Sequence, residues 1–387
     1  MPWKEKTVER TRIDFVAEVI AGEKSKSSLC KEYGITRRTG DKWINRAKNG
    51  EPMSDRTRRK GTHPKKTEEI VENLIIETRV QHPAWGARKL KKYLENKGYT
   101  GLPAQSTICE ILKRNGMITP EESVAHTPYK RFEKENPNDM WQTDFKGDFG
   151  LLNMMRCYPL TVLDDCSRFS ICLEAKANQQ RVGVFSSFNR LFNEYGLPSS
   201  ILCDNGPPWG DCKPGAITQF DVWMMQLNIL PIHSRPRHPQ TQGKDERFHR
   251  TLKDEVLKWE LFDDIPSVQR RFDIWRHEYN YERPHNALGL DTPFKRYRAS
   301  KRQMPQKLKE PEYDNGRNLR KVNCKGYISI QSQRYFMSDS LIGKTLEVIP
   351  LSETDIGLYY SEFRVAKIDL EERIFTSRRI YRSGAEK

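Results

Sequence analysis

The chain has 387 residues, enough for two or three domains, and its 36% hydrophobic and 10% aromatic content can bury enough surface to offset chain entropy, which excludes a disordered polyelectrolyte. Lys and Arg number 67 against 52 Asp and Glu, a net charge of +15, so the excess calls for an anionic partner, nucleic acid first. No apolar run reaches the ~18 residues of a bilayer span, the start MPWKEKTVERTR lacks a secretory core, and eight scattered cysteines without a C-x-x-C pair suit reduced thiols in the cytoplasm rather than a disulfide frame or zinc finger.

Ile13, Val16, Ala17 and Ile20 recur at helical spacing and predict an amphipathic first helix. Ser27 is expected to cap a short helix around Leu29 to Tyr33, Gly34 to end it, and Thr36 to cap a third helix that turns Trp43 and Ile44 inward. Two helices joined at Gly34 suggest a helix-turn-helix over 1–50, whose last helix would present exposed Arg37, Arg38, Lys42 and Arg46 to a DNA groove. Residues 51–66 carry charge without apolar period and read as a basic linker. A second helix-turn-helix-like unit is predicted over 67–119. It comprises a helix over 67–81, Trp85 as a core residue, and a helix capped by Ser106 with Ile108, Ile111 and Leu112 facing inward. Two tandem readers would extend the DNA site.

After a connector (120–135), the pattern changes to short apolar runs alternating with helices, the signature of an α/β domain over 136–300. Segments 140–145, 158–165 and 169–176 read as an antiparallel meander. A helix over 179–195, a strand over 199–204, a helix over 216–227 and a strand over 228–233 follow. Helices over 242–259 and 266–281 close the domain, so that helices cover both faces of the sheet. From 318 to 387, apolar residues alternate with polar ones between turns, which predicts a small β-barrel or sandwich.

Asp144 stands near the end of the first strand in WQTDF, Asp204 ends the fourth in ILCDNG, and Glu246 lies early on a long helix in HPQTQGKDERFHRTLKDE. Strand ends hold side chains rigidly at a crevice where α/β folds place ligands. Three carboxylates converging there would repel one another unless divalent cations lay between them. Two Mg²⁺ ions so held suit an in-line phosphoryl displacement. Arg250 and Lys253 follow Glu246 at i+4 and i+7, so two cations share the acid's face and could hold phosphates; the bland reading is a solvated face of mutual pairs, worth ~0.3 kcal/mol each. Asp164 and Asp165, adjacent on a strand, point to opposite faces, and pairing with Arg168 is the expected role. His238 and His249 are candidates for proton transfer or DNA contact, and Cys203 is expected to pack into the sheet.

WQTDF, LDDCSRFS, ILCDNG, the HPQTQGKDERFHRTLK block and YNYERPHNALGLDTP occur together and in order over about 136–300. This region resembles the catalytic core shared by retroviral integrases and insertion-sequence transposases, the DDE superfamily with a ribonuclease-H-like fold. The front half, with its HPAWGARKL unit, is similar to the bacterial transposase arrangement. The resemblance implies a multidomain chain: α-helical helix-turn-helix domains at the amino end, an α/β ribonuclease-H-like core with a mixed sheet, and a small all-β carboxy-terminal domain. It further implies Asp144, Asp204 and Glu246 as catalytic metal ligands and two Mg²⁺ (or Mn²⁺) ions. The implied activity is cleavage and strand transfer at the ends of a mobile element, by a homo-oligomer assembled on DNA. One departure stands out: 41 residues separate Asp204 from Glu246, longer than the family's usual gap by about one short loop. The extra residues are expected in a surface turn at PPWGDCKPGA (207–216), and Asp245, Asp254 and Glu255 stay open as competitors for the third ligand.

Overall fold

The computed structural model describes residues 7–55, 67–118, 133–210, 216–234, 243–377 and 380–383. The chain divides into two compact units, Met1–Glu68 and Glu69–Lys387. In the first, α1 (Val8–Ala21), α2 (Lys26–Glu32) and α3 (Arg37–Lys48) enclose Phe15, Val16, Leu29, Cys30 and Trp43. The expected face of α1 is rotated: Ile13 and Ile20 are exposed and Phe15 is buried, because an aromatic ring fills the small core better than the isoleucines. Ser25, rather than Ser27, caps α2 by accepting from the Ser28 N–H, while the Ser27 hydroxyl accepts from Arg37 Nε (3.1 Å). Gly34 takes a left-handed φ of 64° in the turn, and Thr36 caps α3 as expected. Helices α2 and α3 meet at Gly40, where a Cβ would lie 2.8 Å from Cys30 Sγ and 3.1 Å from the Phe15 ring.

The second unit begins with α4 (Glu69–Gln81), α5 (Ala87–Asn96) and α6 (Gln105–Arg114), packed around Ile75, Trp85, Leu90, Ile108, Ile111 and Leu112. Ser106 does not cap α6: Ala104 occupies that position and no side chain caps the end. Trp85 is fully buried, as expected.

The core sheet consists of β1 (Trp141–Phe145), β2 (Phe149–Gly150), β3 (Arg156–Asp164), β4 (Ser170–Lys176), β5 (Ser200–Cys203) and β6 (Leu230–His233). Strands β1, β3 and β4 form the antiparallel meander, and β5 and β6 extend β1 in parallel, giving the expected mixed sheet. One face packs on α7 (Arg181–Tyr195) and α8 (Gln219–Gln226) through Phe188, Phe192, Phe220 and Met224. The other packs on α9 (Gly243–Leu252) and α10 (Ile265–His277) through Phe248, Leu252, Phe272 and Trp275. Each of these two helices ends in a π-helical turn, Lys253–Leu257 and Glu278–Glu282. The stretch after Asp204 is no simple surface turn: Trp209 is buried against Phe188 and Phe220 and anchors it inward, and 211–215 lie outside the described residues.

Strands β7 (Leu319–Lys321), β10 (Thr345–Pro350), β11 (Asp355–Tyr360), β12 (Phe363–Asp369), β13 (Ile374–Ser377) and β14 (Tyr381–Arg382) build the all-β tail, with a hairpin of β8 (Tyr327–Ile330) and β9 (Gln333–Phe336). The edges β7 and β13 do not pair among the described residues, so the sheet is open rather than a closed barrel. Its apolar face is covered instead by the hairpin and by Ile217, Val222 and Met225 of the α8 region, which share one core with Leu346, Leu358 and Phe363.

Candidate active site

The parallel pairing of β1 with β5 sets Trp141 opposite Ile201 and Gln142 opposite Leu202. The same offset brings Asp144 level with Asp204, at the carboxyl ends of adjacent strands. Asp144 is partly buried and accepts from the Phe145 N–H (2.8 Å); burial, then the charges of Asp204 and Glu246, push its carboxyl up to about 6. Asp144 is therefore within electrostatic reach of both other expected acids. Asp204 is exposed, and its carboxylate accepts from the Asn205 N–H (2.7 Å) and the Ser234 hydroxyl (3.2 Å). Glu246 is exposed on the first turn of α9. Among the described residues none of the three carboxylates forms an ion pair, and no three His, Cys, Asp or Glu side chains yet converge on one point.

Helix α9 is fixed to the sheet at two places. Near its start, Lys244 pairs with buried Asp165 (2.5 Å), which also accepts from Gln142 Nε2 on β1 (2.6 Å) and from the Lys134 N–H. One turn on, His249 Nε2 meets the Thr161 hydroxyl (2.9 Å), which donates to the Asp144 carbonyl (3.0 Å). Burial, then nearby Lys146, push His249 down to about 3, so it is a neutral hydrogen-bonding group. Asp164 accepts from the Asn138 and Ser167 N–H groups and the Ser167 hydroxyl. The expected pairing of these acids with Arg168 is not found: Arg168 pairs with Glu133 (2.7 Å), because Lys244 and local N–H donors already satisfy Asp165 and Asp164.

The competitors separate cleanly. Glu255 accepts three bonds from Arg283 (2.8–3.1 Å), one from Trp85 Nε1 (3.1 Å) and one from Trp275 Nε1 (3.0 Å), so its oxygens are taken. Asp254 pairs with Lys258. Asp245 is 1% exposed with neither carboxyl oxygen hydrogen-bonded, and burial, then Asp144 and Asp165, push its carboxyl well above the usual range. It lies behind the site as a buried acid, whereas Glu246 faces outward.

Behind Asp204, His233 donates from Nδ1 to the Asp204 carbonyl (3.1 Å) and from Nε2 to Asp221 (2.8 Å). Burial opposes its charge, but Cys203 and Asp221 outweigh burial and push the imidazole up to about 12. Sequence reasoning missed His233, Asp221 and Lys244, and gave Asp165 the wrong cationic partner; the capping box Thr218–Asp221 was the local signal for Asp221. His238 lies outside the described residues. Cys203 is buried in the sheet, as expected.

Of the expected DNA-facing residues, Arg37, Arg38 and Lys42 are exposed on α3. Arg46 departs from that expectation: it is 8% exposed, donates to the Ser54 carbonyl (2.9 Å), lies near Glu51 and stacks over Trp43, so it holds the segment after α3 instead of facing a groove. Arg250 and Lys253 are exposed. Burial, then the charge of Lys253, push neighbouring Lys146 down, so cations crowd this side of the site.

Models of the integrase core domain match residues 134–239 and 227–293, and a model of a homeodomain-like domain matches 39–112. Over 148 residues the chain is 33% identical to an insertion element IS136 protein of Agrobacterium tumefaciens, covering 36% of this chain and 72% of that one. The chain belongs to the insertion-sequence transposases with an integrase core. Another relative in that family, the transposase for insertion sequence element IS21 of Pseudomonas aeruginosa, is 22% identical over 348 residues, 87% of this chain and 84% of that one. The insertion element IS476 protein of Xanthomonas euvesicatoria is 29% identical over 157 residues, 41% of this chain but 43% of that protein's length. Membership in these transposases assigns the chain to transposition-related DNA recombination. No helix among the described residues is long and apolar enough to cross a membrane.

Proposed function

We propose that this chain binds the ends of a mobile element and cuts and joins DNA strands at Asp144, Asp204 and Glu246. The observation that carries the reading is the level placement of Asp144 and Asp204 at the ends of parallel strands, with Glu246 close enough to raise Asp144. Oxygen acids whose charges raise Asp144 and which, among the described residues, have no cationic side-chain partner are a donor set suited to hard divalent ions, so these three residues would hold Mg²⁺ or Mn²⁺, two per site. When bound, such ions polarise the phosphodiester and the attacking oxygen.

The protein's own groups supply position. Asp165 and Lys244 set the start of α9 against β1, so Glu246 approaches Asp144 at a fixed height. Arg250, Lys253 and Lys146 form a cationic rim for the phosphate backbone beside the acids, and Arg37, Arg38 and Lys42 offer a separate phosphate- and base-facing surface on α3. In the first reaction, water attacks a phosphodiester at the element end, the bond to the 3′ oxygen breaks, and a 3′-hydroxyl and a 5′-phosphate result. In the second, that hydroxyl attacks a target phosphodiester, forming one P–O bond as another breaks. Two ends brought together call for a homo-oligomer on DNA.

Incubating the chain with Mg²⁺ and a labelled duplex of the element's own terminal sequence, together with supercoiled target, tests this. Labelled strands joined to target support the reading; cleavage without joining reduces the protein to a hydrolytic nuclease, and end binding with neither reaction makes it a DNA-binding regulator.

A further inference from the structure

A cavity of about 460 Å³ lies where α4–α6 meet the core, lined by Arg88 and Lys89 of α5, by Gln105, Ser106 and Cys109 of α6, and by Asn286 of the short 3₁₀ turn Asn286–Leu288. Its charge is one-sided. The Lys89 side chain is half-buried, yet among the described residues its ammonium has no hydrogen bond or ion pair. Arg283 and Arg247 add positive charge beside it, and Glu255, the acid that acts on it among the described residues, is already engaged by Arg283 and two indoles. Burial, then Arg283, push Lys89 down to about 7, the response of a buried cation lacking a counter-ion. Arg88 is exposed at the mouth. Ser106 and Gln105, freed from any capping role, stand on the same wall, and neither α5 nor α6 has a side-chain cap to oppose an incoming anion.

We infer that this cavity seats a backbone phosphate of the element-end duplex, with Arg88 and Lys89 as its cationic partners and Ser106, Gln105 and Asn286 as neutral hydrogen-bonding groups. The inference rests on the proposed end-binding function and deepens it. Because Asn286 belongs to the core and the other groups to the helical unit, one phosphate would be gripped from both sides, fixing the duplex relative to the strand-end acids. The ligand chemistry is a phosphate oxyanion, and DNA rather than free phosphate is its source, since the cavity opens beside α6, the second helix of the pair expected to read DNA.

Two readouts test it on the full-length chain. Binding of element-end duplex is measured at several salt concentrations for the native chain, Arg88→Gln and Lys89→Met. Arg88 is exposed and Lys89→Met replaces a half-buried charge by an apolar chain of similar length, so both variants should fold. Loss of one phosphate contact lowers the slope of log K against log salt by about 0.9, and about tenfold weaker binding is expected at low salt. Separately, the rate at which N-ethylmaleimide modifies Cys109, which lines the cavity, is followed by mass spectrometry with duplex, with inorganic phosphate at equal ionic strength, and with neither. The duplex is expected to slow Cys109 and phosphate to leave it unchanged. Native binding with unaltered affinity and salt slope in both variants overturns the cavity while leaving end binding intact. Protection by phosphate but not by duplex overturns DNA as the source. Failure of the native chain to bind the duplex at all overturns both the cavity and the end-binding function on which it rests.

Discussion

Glu255→Ala is expected to destabilise the second unit strongly, and the structure gives the size. The side chains of Glu255 and Arg283 are 8% and 7% exposed, and the carboxylate takes three guanidinium bonds and one from each indole of Trp85 and Trp275. Removing it strands a buried guanidinium, for which breaking a buried pair costs about 3–5 kcal/mol. The two orphaned indole N–H groups each lose a bond whose absence costs about 1–3 kcal/mol, although these terms overlap and do not sum. A loss of about 4 kcal/mol is therefore expected. Glu255→Gln, which keeps one acceptor oxygen but no charge, should fall between Ala and native. The assay is urea unfolding followed by indole fluorescence, since Trp85 and Trp275 sit on the carboxylate. A double variant, Glu255→Ala with Arg283→Met, should recover part of the loss because no charge remains stranded. A loss below about 1 kcal/mol, or a double variant worse than the two singles combined, refutes the reasoning.

Three further outcomes follow from the same structure. Lys89 has a folded value near 7 against the ordinary 10.5, so the unfolded chain binds the extra proton between these values and stability rises with pH across that window; Lys89→Met should flatten the rise, and an unchanged pH profile of the unfolding midpoint contradicts it. Asp245→Leu, which removes a buried carboxyl with neither oxygen bonded, should raise the unfolding free energy without Mg²⁺ by about 1–3 kcal/mol, and the Mg²⁺-induced rise in melting temperature should persist; a lost Mg²⁺ response makes Asp245 a ligand. Gly40→Ala places a Cβ 2.8 Å from Cys30 Sγ and should destabilise the first unit by about 1–3 kcal/mol, despite the better helix former, as read by its circular-dichroism melt.

Local pattern carried the strands and the acids: WQTDF and ILCDNG each pair an apolar run with a terminal carboxylate, and both proved to be strands ending level with each other. Gly34 and Thr36 were equally legible because turn and cap chemistry is encoded within a few residues. What escaped was decided by distant partners. Arg46 reads as one more exposed cation until Ser54 and Trp43 enclose it, and Glu255 reads as a competitor for the third ligand until Trp85, 170 positions earlier, reaches it. Ile13 and Ile20 have the right period but lose the core to Phe15, and the β-rich tail reads as a separate module although α8 supplies part of its core. Register across a sheet and docking between helices have no counterpart in the spacing of a single segment.

The central claim is that Glu246, with Asp144 and Asp204, forms the site of strand cleavage and joining. Its most direct test compares the native chain with Glu246→Gln on a labelled element-end duplex with Mg²⁺, scoring end binding, cleavage and joining together. The account predicts that both proteins bind, and that the native chain cuts and joins while the variant does neither. A variant as active as the native chain would contradict the assignment of Glu246.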